Sequence, residues 1–72
     1  MLQSALLPQL SRYAHDPVPN IRFGVAKAFE ALAPRLDAAA RQTIAKPVLQ
    51  SLALDREADV QHFALRALAA LG

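Results

Sequence analysis

The sequence predicts an all-α fold, an α-solenoid of four helices in two stacked antiparallel pairs. Three observations predict it. Alanine and leucine, the strongest helix formers, dominate a 72-residue chain that is 54% apolar with only four aromatic residues. Apolar residues recur at helical spacing in four separate runs. The chain also matches itself after a shift of 39 residues.

Under that shift Pro8 falls on Pro47, Leu10 on Leu49, Ala14 on Ala53 and Asp16 on Asp55. Further on, Ala28 meets Ala67, Ala31 meets Ala70 and Leu32 meets Leu71. Unlike pairs are often chemically close: Asn20 with Asp59, Ile21 with Val60, Lys27 with Arg66, Phe29 with Leu68. The second helix of the first unit carries Ile21, Val25, Ala28, Phe29 and Leu32 on one face. Val60, Ala64, Ala67, Leu68 and Leu71 repeat those offsets. The first helices carry Leu2, Leu6, Leu10 and Tyr13 in one unit, and Ile44, Ala45, Val48, Leu49 and Leu52 in the other.

Each element has a start and a stop. The first helix is expected over about 2–14, with Ser4 as an early cap. Asp16-Pro17 closes it, because a residue before proline is pushed out of helical geometry. The second runs over about 19–32, opened by Pro19, whose missing N–H is not required in a first turn. Pro34 helps to end it. Asp37 is the expected N-cap of the third helix, over about 37–52. The fourth covers about 58–71. The two units are then 1–33 and 37–72 of one continuous domain. Pro8 and Pro47 stand inside the first helix of each unit, where a proline either kinks the helix or begins a shorter one.

Composition excludes several functions. There is no cysteine, so no disulfide or thiolate metal site. His15 and His62 lack partners at coordination spacing, and neither metal nor cofactor is expected. Eight basic and six acidic residues are scattered, for a net charge of +2. The isoelectric point near 9.7 alone hints at nucleic acid, and the scatter argues against a basic stripe. No apolar run reaches the roughly 18–20 residues of a membrane span. The first ten residues lack a signal-peptide pattern, which points to the cytoplasm, with the nucleus as a second compartment. No glycine-rich phosphate loop, Ser/His/Asp set or paired carboxylates suggest an enzyme.

The stretch "LLPQLSRYAHDPVPNIRFGVAKAFEALA" resembles a HEAT repeat. It has an apolar-proline start, Asp-Pro at the turn, and a β-branched residue plus Arg opening an Ala-rich helix that ends in Leu. "KPVLQSLALDREADVQHFALRALAAL" is similar but departs at Gln61, where the family usually has a basic residue. Phe23, Lys27 and Phe63 together, within "DPV-N-RF-VAK" and "DV--FAL-AL", resemble the phosphatase-scaffold members of the family, at their last two repeats. The resemblance covers about 6–71.

That resemblance implies a non-catalytic protein–protein interaction scaffold. In those scaffolds the turns within the repeats line up along one ridge. The C-terminal turns hold a phosphatase catalytic subunit, and more N-terminal repeats hold a regulatory subunit. Carried over by position, the partner-binding residues are Pro17, Val18, Pro19, Asn20 and Arg22, then Arg56, Glu57, Ala58, Asp59 and His62. His15 and Arg56 depart from the family's pattern. The resemblance also implies a ladder between units through Asp16, Arg22 and Asp55, with Arg22 to Asp55 as its rung. An adaptor of another HEAT system, serving transport or a lyase, is the alternative reading.

Two readings of Phe23 and Phe63 stay open, packing between the units or an exposed anchor for a partner. Asp16 and Asp55 can cap N–H groups of the turns that follow them. Stacked repeats bury their faces on neighbours, so two units leave two faces open. Leu2, Leu6 and Leu7 are expected exposed at one end, and Phe63, Leu65 and Leu68 at the other. Neighbouring HEAT repeats or self-association would cover them.

Overall fold

The computed structural model describes residues 2–72, with side chains from Leu7 onward. Helix α1 spans Leu2–Tyr13 and α2 spans Pro19–Leu32. A 3-10 turn, Ala33–Arg35, leads to a third rod built of α3 (Ala38–Ala40), a π segment (Arg41–Ala45) and α4 (Lys46–Leu52). Helix α5, Ala58–Leu71, completes the second pair. The described residues contain no strand, and the architecture is an α-solenoid of two helix pairs. Its largest helix–helix contact joins α2 to α5, one helix from each pair.

The two turns are built alike, bond for bond. After α1, Ala14 N donates to Leu10 O at 3.0 Å and Asp16 N to Tyr13 O at 3.0 Å. After α4, Ala53 N donates to Leu49 O at 2.8 Å and Asp55 N to Leu52 O at 3.0 Å. Val18 caps α2 in extended geometry (φ −84°, ψ 118°), as a residue before proline should. Glu57 adopts nearly the same angles (φ −89°, ψ 123°) without a proline after it. Its geometry therefore comes from the turn. Ser4 does not start α1, which is already helical at Leu2. The Ser4 side chain lies outside the described residues.

Between the pairs, Asp37 caps the third rod, its Oδ1 accepting from Ala40 N at 2.8 Å. Arg41 Nη2 donates to Ala33 O at 2.9 Å and ties the rod to the 3-10 turn. The two prolines behave differently. Around Pro8 the helix continues without interruption. Before Pro47 the rod widens into a π segment, with Lys46 N donating to Arg41 O, five residues back. A proline cannot donate to the carbonyl four residues back, and its ring clashes there. One widened turn places Pro47 in the first turn of α4, where neither fault costs a bond.

One cluster of buried side chains runs through both pairs, with Phe29, Leu49, Leu52 and Val60 as its largest fully enclosed members. Ala26, Ala45, Ala64 and Ala67 are wholly buried. Their small side chains let the helices approach closely. The buried face of α2 is rotated by one position from the expected stripe. Arg22, Val25, Ala26 and Phe29 are buried, while Ile21 is 39% exposed. Tyr13, expected in the stripe of α1, is 51% exposed. The reason is location: the unit-two neighbour of α2 covers its Arg22 side, and nothing among the described residues covers the Ile21 side. Leu7, expected exposed, is buried in the core because α1 turns it toward its neighbours. Leu2 and Leu6 lie outside the described side chains. Leu65 is exposed, whereas Phe63 and Leu68 are half-buried.

This packing fixes the expected response to two substitutions. Phe29→Ala should cost about 3–5 kcal/mol, against roughly 4–11 kcal/mol for a whole chain of this size; urea melts followed by circular dichroism should show the midpoint falling by about half. Gly24 lies inside α2, and a Cβ there would meet nothing within 4 Å. Gly24→Ala should therefore stabilise by about 0.5–1 kcal/mol, read as a higher urea midpoint at unchanged slope.

Candidate docking ridge

The side chain of Asp16 accepts from Val18 N at 2.9 Å, and that of Asp55 accepts from Glu57 N at 2.9 Å. Each carboxylate thus holds its own turn in shape. Pro17, Val18, Pro19 and Asn20 are exposed on the first turn; Arg56, Glu57, Ala58 and Asp59 are exposed on the second. The two turns lie side by side. Between them is a cleft of about 160 Å³, lined by Pro19, Asn20, Phe23, Glu57, Asp59 and Val60. Four of these six belong to the sequence-predicted contact set. Phe23 and Val60 were not in it, although each stands within a turn of helix of residues that were.

Two further features of the ridge do not follow from the residue pattern. Four of the chain's six acidic residues, Asp16, Asp55, Glu57 and Asp59, fall in or beside the two turns. Leu54, also in the second turn, is 85% exposed, more than any other large apolar side chain described. Its signal was an apolar residue at the position where the first turn has His15. His62 points elsewhere: it is exposed and packs edge-on to Phe63 at 5.3 Å, outside the cleft lining. Among the described residues, no group of His, Cys, Asp or Glu could hold a metal ion.

Phe23 and Phe63 meet edge to face, 4.8 Å between centroids at 80°. Both are half-buried and pack on the core. Lys27 Nζ lies 5.3 Å from the Phe23 centroid and 5.9 Å from that of Phe63, and the Arg66 guanidinium lies 5.1 Å from Phe63. These distances are within cation–π range. Arg66 Nε also meets Glu30 Oε2 at 3.0 Å. Of the two readings of the phenylalanines, packing between the helix pairs is the one their geometry matches. They join α2 to α5 under a lid of cations.

Arg22 has the most constrained geometry at the ridge. Its Nε donates to Asp55 Oδ2 at 2.7 Å, Nη2 to Asp55 Oδ1 at 3.2 Å and Nη1 to Asp16 O at 2.8 Å. One planar guanidinium therefore binds a carboxylate bidentately and the carbonyl of its own turn at once. The residue is only 8% exposed. This corrects its place among the partner-binding residues: its donors are engaged inside the fold. Gln61, at the equivalent position of α5, donates to Asp55 O, the matching own-turn carbonyl. It keeps that half of the pattern and has no charge for the other half.

The hydrogen bond from Arg22 holds the Asp55 carboxyl below its ordinary range, against the opposing effect of desolvation. The same bond raises the guanidinium. A lowered carboxyl stabilises the fold above the unfolded-state value of about 3.9, and that stabilisation is lost as pH falls through the folded value. The raised Arg22 would lose its contribution only in strong alkali. Asp55→Asn should lower the thermal midpoint by several degrees at pH 7. The gap from the unmodified chain should narrow below about pH 4, as thermal melts across pH will record.

The residue patterns and the geometry agree with comparisons to known proteins. The HEAT repeat family model matches residues 6–36. The 65 kDa regulatory subunit of serine/threonine-protein phosphatase PP2A from Drosophila melanogaster is 43% identical over 58 residues, 81% of this chain and 10% of that protein. The PP2A regulatory subunit of Saccharomyces cerevisiae is 44% identical over 71 residues, covering 89% of this chain and 11% of the relative. The beta isoform of the 65 kDa PP2A regulatory subunit from Homo sapiens is 46% identical over 54 residues, 75% and 9% respectively. This chain thus spans about a tenth of the length of the curated relatives it matches. With paired helices, repeated turns and these relatives together, the chain belongs to the HEAT-repeat family and is similar to a short stretch of the PP2A regulatory subunits named above.

Proposed function

We propose that this chain is a non-catalytic scaffold segment, two HEAT repeats over 1–33 and 37–72, whose ridge of turns docks a phosphatase catalytic subunit. The observation that carries the reading is the composition of the ridge. In a chain of net charge +2, the exposed turns carry Glu57 and Asp59 beside a cleft, with Val18 and Leu54 offering apolar area. Apolar contact with complementary charge at the rim is how protein interfaces combine area with orientation. The docking set is Pro17, Val18, Pro19, Asn20, Leu54, Arg56, Glu57 and Asp59. The acidic rim suits a basic surface on the partner. The relatives are regulatory subunits of PP2A, which supports the choice of partner.

The ladder belongs to the same reading. Arg22 and Asp55 form its rung, and Asp16 occupies the corresponding carboxylate position of the first turn. A preceding HEAT repeat bearing an arginine at its own equivalent of Arg22 would complete a second rung there. The compartment we assign is the cytoplasm, with access to the nucleus.

Titration of the chain into the PP2A catalytic subunit, with helicity checked on the same sample, tests this function. Saturable binding is expected. Reversing both rim charges (Glu57→Lys with Asp59→Lys) should weaken it about tenfold or more, some 1.4 kcal/mol per decade, and the loss should shrink at high salt. Lys46→Gln, an exposed position on the third rod and in neither turn, should leave affinity near its starting value. A helical chain that does not bind would transfer the ridge to an adaptor of another HEAT system, for transport or lyase assembly.

A further inference from the structure

The cleft between the turns has both walls inside this chain. Pro19, Asn20 and Phe23 come from α2, and Glu57, Asp59 and Val60 come from the second turn and α5. Its lining therefore does not depend on what lies beside the two pairs. Its volume is about 160 Å³. Sites for small-molecule ligands enclose roughly 300–1,000 Å³, whereas a cavity of roughly 150 Å³ holds a single benzene ring. The cleft has room for one side chain and is too small for a cofactor.

The lining divides by chemistry. Pro19, Phe23 and Val60 offer apolar area, and Asn20, Glu57 and Asp59 offer oxygen acceptors. Neither Glu57 nor Asp59 forms an ion pair among the described residues. The cations of α2 and α5 are engaged elsewhere. Arg22 holds the Asp55 carboxylate and the Asp16 carbonyl. Lys27 lies over the two phenylalanine rings, and Arg66 meets Glu30. Carboxylates at a helix start are favoured by the helix dipole alone. That role needs no cavity, and it does not account for an aromatic ring, a proline ring and an amide lining the same space.

We propose that the cleft receives one arginine side chain of the docking partner. The proposal rests on the docking reading above and assigns what enters the ridge. An arginine carries an apolar stem that ends in a flat, charged fork of five donors. The stem and the flat of the guanidinium suit Pro19, Phe23 and Val60. The donors suit the Asn20 side-chain carbonyl and the Glu57 and Asp59 carboxylates. A lysine brings its charge as a compact, strongly hydrated point with no flat face, so it fits less well. An apolar side chain would leave both carboxylates unanswered. Lys27 opposes the guest, since its ammonium stands 5.3 Å from the Phe23 centroid. The two carboxylates outweigh that one charge.

Amide NMR spectra of the full chain, titrated with N-acetyl-arginine methylamide, test the assignment without the phosphatase subunit. Saturable shifts confined to Asn20, Phe23, Glu57, Asp59, Val60 and their neighbours are expected, with affinity on the order of millimolar. The citrulline analogue, of the same shape without the charge, should not bind. The lysine analogue should bind severalfold more weakly. Each exposed ion pair is worth up to about fivefold. Glu57→Gln with Asp59→Asn should therefore weaken binding about tenfold or more, and Lys27→Gln should tighten it, with helicity unchanged in both. Shifts scattered over the surface would overturn the proposal. So would an arginine that binds no better than citrulline or lysine, or a neutralised pair that binds as well as the unmodified chain. The two readings fail separately. A cleft that takes arginine, on a chain the catalytic subunit ignores, keeps this assignment and removes that partner. A chain that binds the subunit with no arginine in the cleft does the reverse.

Discussion

Arg22 binds two turns at once. Its fork takes the Asp55 carboxylate of the second pair, and its remaining Nη1 donor takes the Asp16 carbonyl of its own turn. This geometry sets the height of one helix pair against the other. The cleft lies beside it, with walls from both pairs, so its width depends on that setting. Burying a guanidinium is unfavourable unless its donors are satisfied. Here three of its bonds go to a carboxylate and a carbonyl, and the carboxylate answers the charge. An ion pair held this way orients more than it stabilises, because desolvation offsets much of the attraction.

Packing completes what the rung begins. Wholly buried alanines on α2, α5 and the third rod leave little between the helix backbones, and Phe29 and Leu49 fill the space that remains. The edge-to-face pair Phe23–Phe63 extends the contact outward, and Lys27, Arg66 and Glu30 close over it. The π segment before Pro47 serves the same close fit. It lets a rod of helix carry a proline without ending, so the third rod presents Ala45 and Leu49 to the core without a gap in the chain direction.

Exposed apolar and charged groups divide by location. Two of the five large apolar side chains exposed among the described residues lie on the turns; three lie on the helices or at their ends. Most of the acidic residues gather at the turns, whereas the basic residues other than Arg56 are spread over the helices and the link between the pairs. A ridge with an acidic rim thus comes from one repeated unit. The turn of the unit is its outward edge, and its two flanks are what stacking covers.

Much of this was legible in the residues. The 39-residue period, the alanine-rich helices, Pro19 and Asp37 as helix starts, and the Asp-led turns all follow from local preferences that act within a few residues. The place of Arg22 in a ladder came from family resemblance, and its burial did not follow from its charge. Periodicity assigned Ile21 and Tyr13 to the core because apolar spacing marks a helix face without saying whether a neighbour exists to cover it. It likewise left Leu54 and Phe23 outside the ridge, because the cleft is formed by residues from two turns far apart along the chain. The sequence by itself determined the helices, their pairing and the chemistry of each turn, since those depend on neighbours along the chain. Only the tertiary structure decided which helix face is buried, which charge is engaged inside and where the cleft opens, since those depend on how the second pair lies against the first.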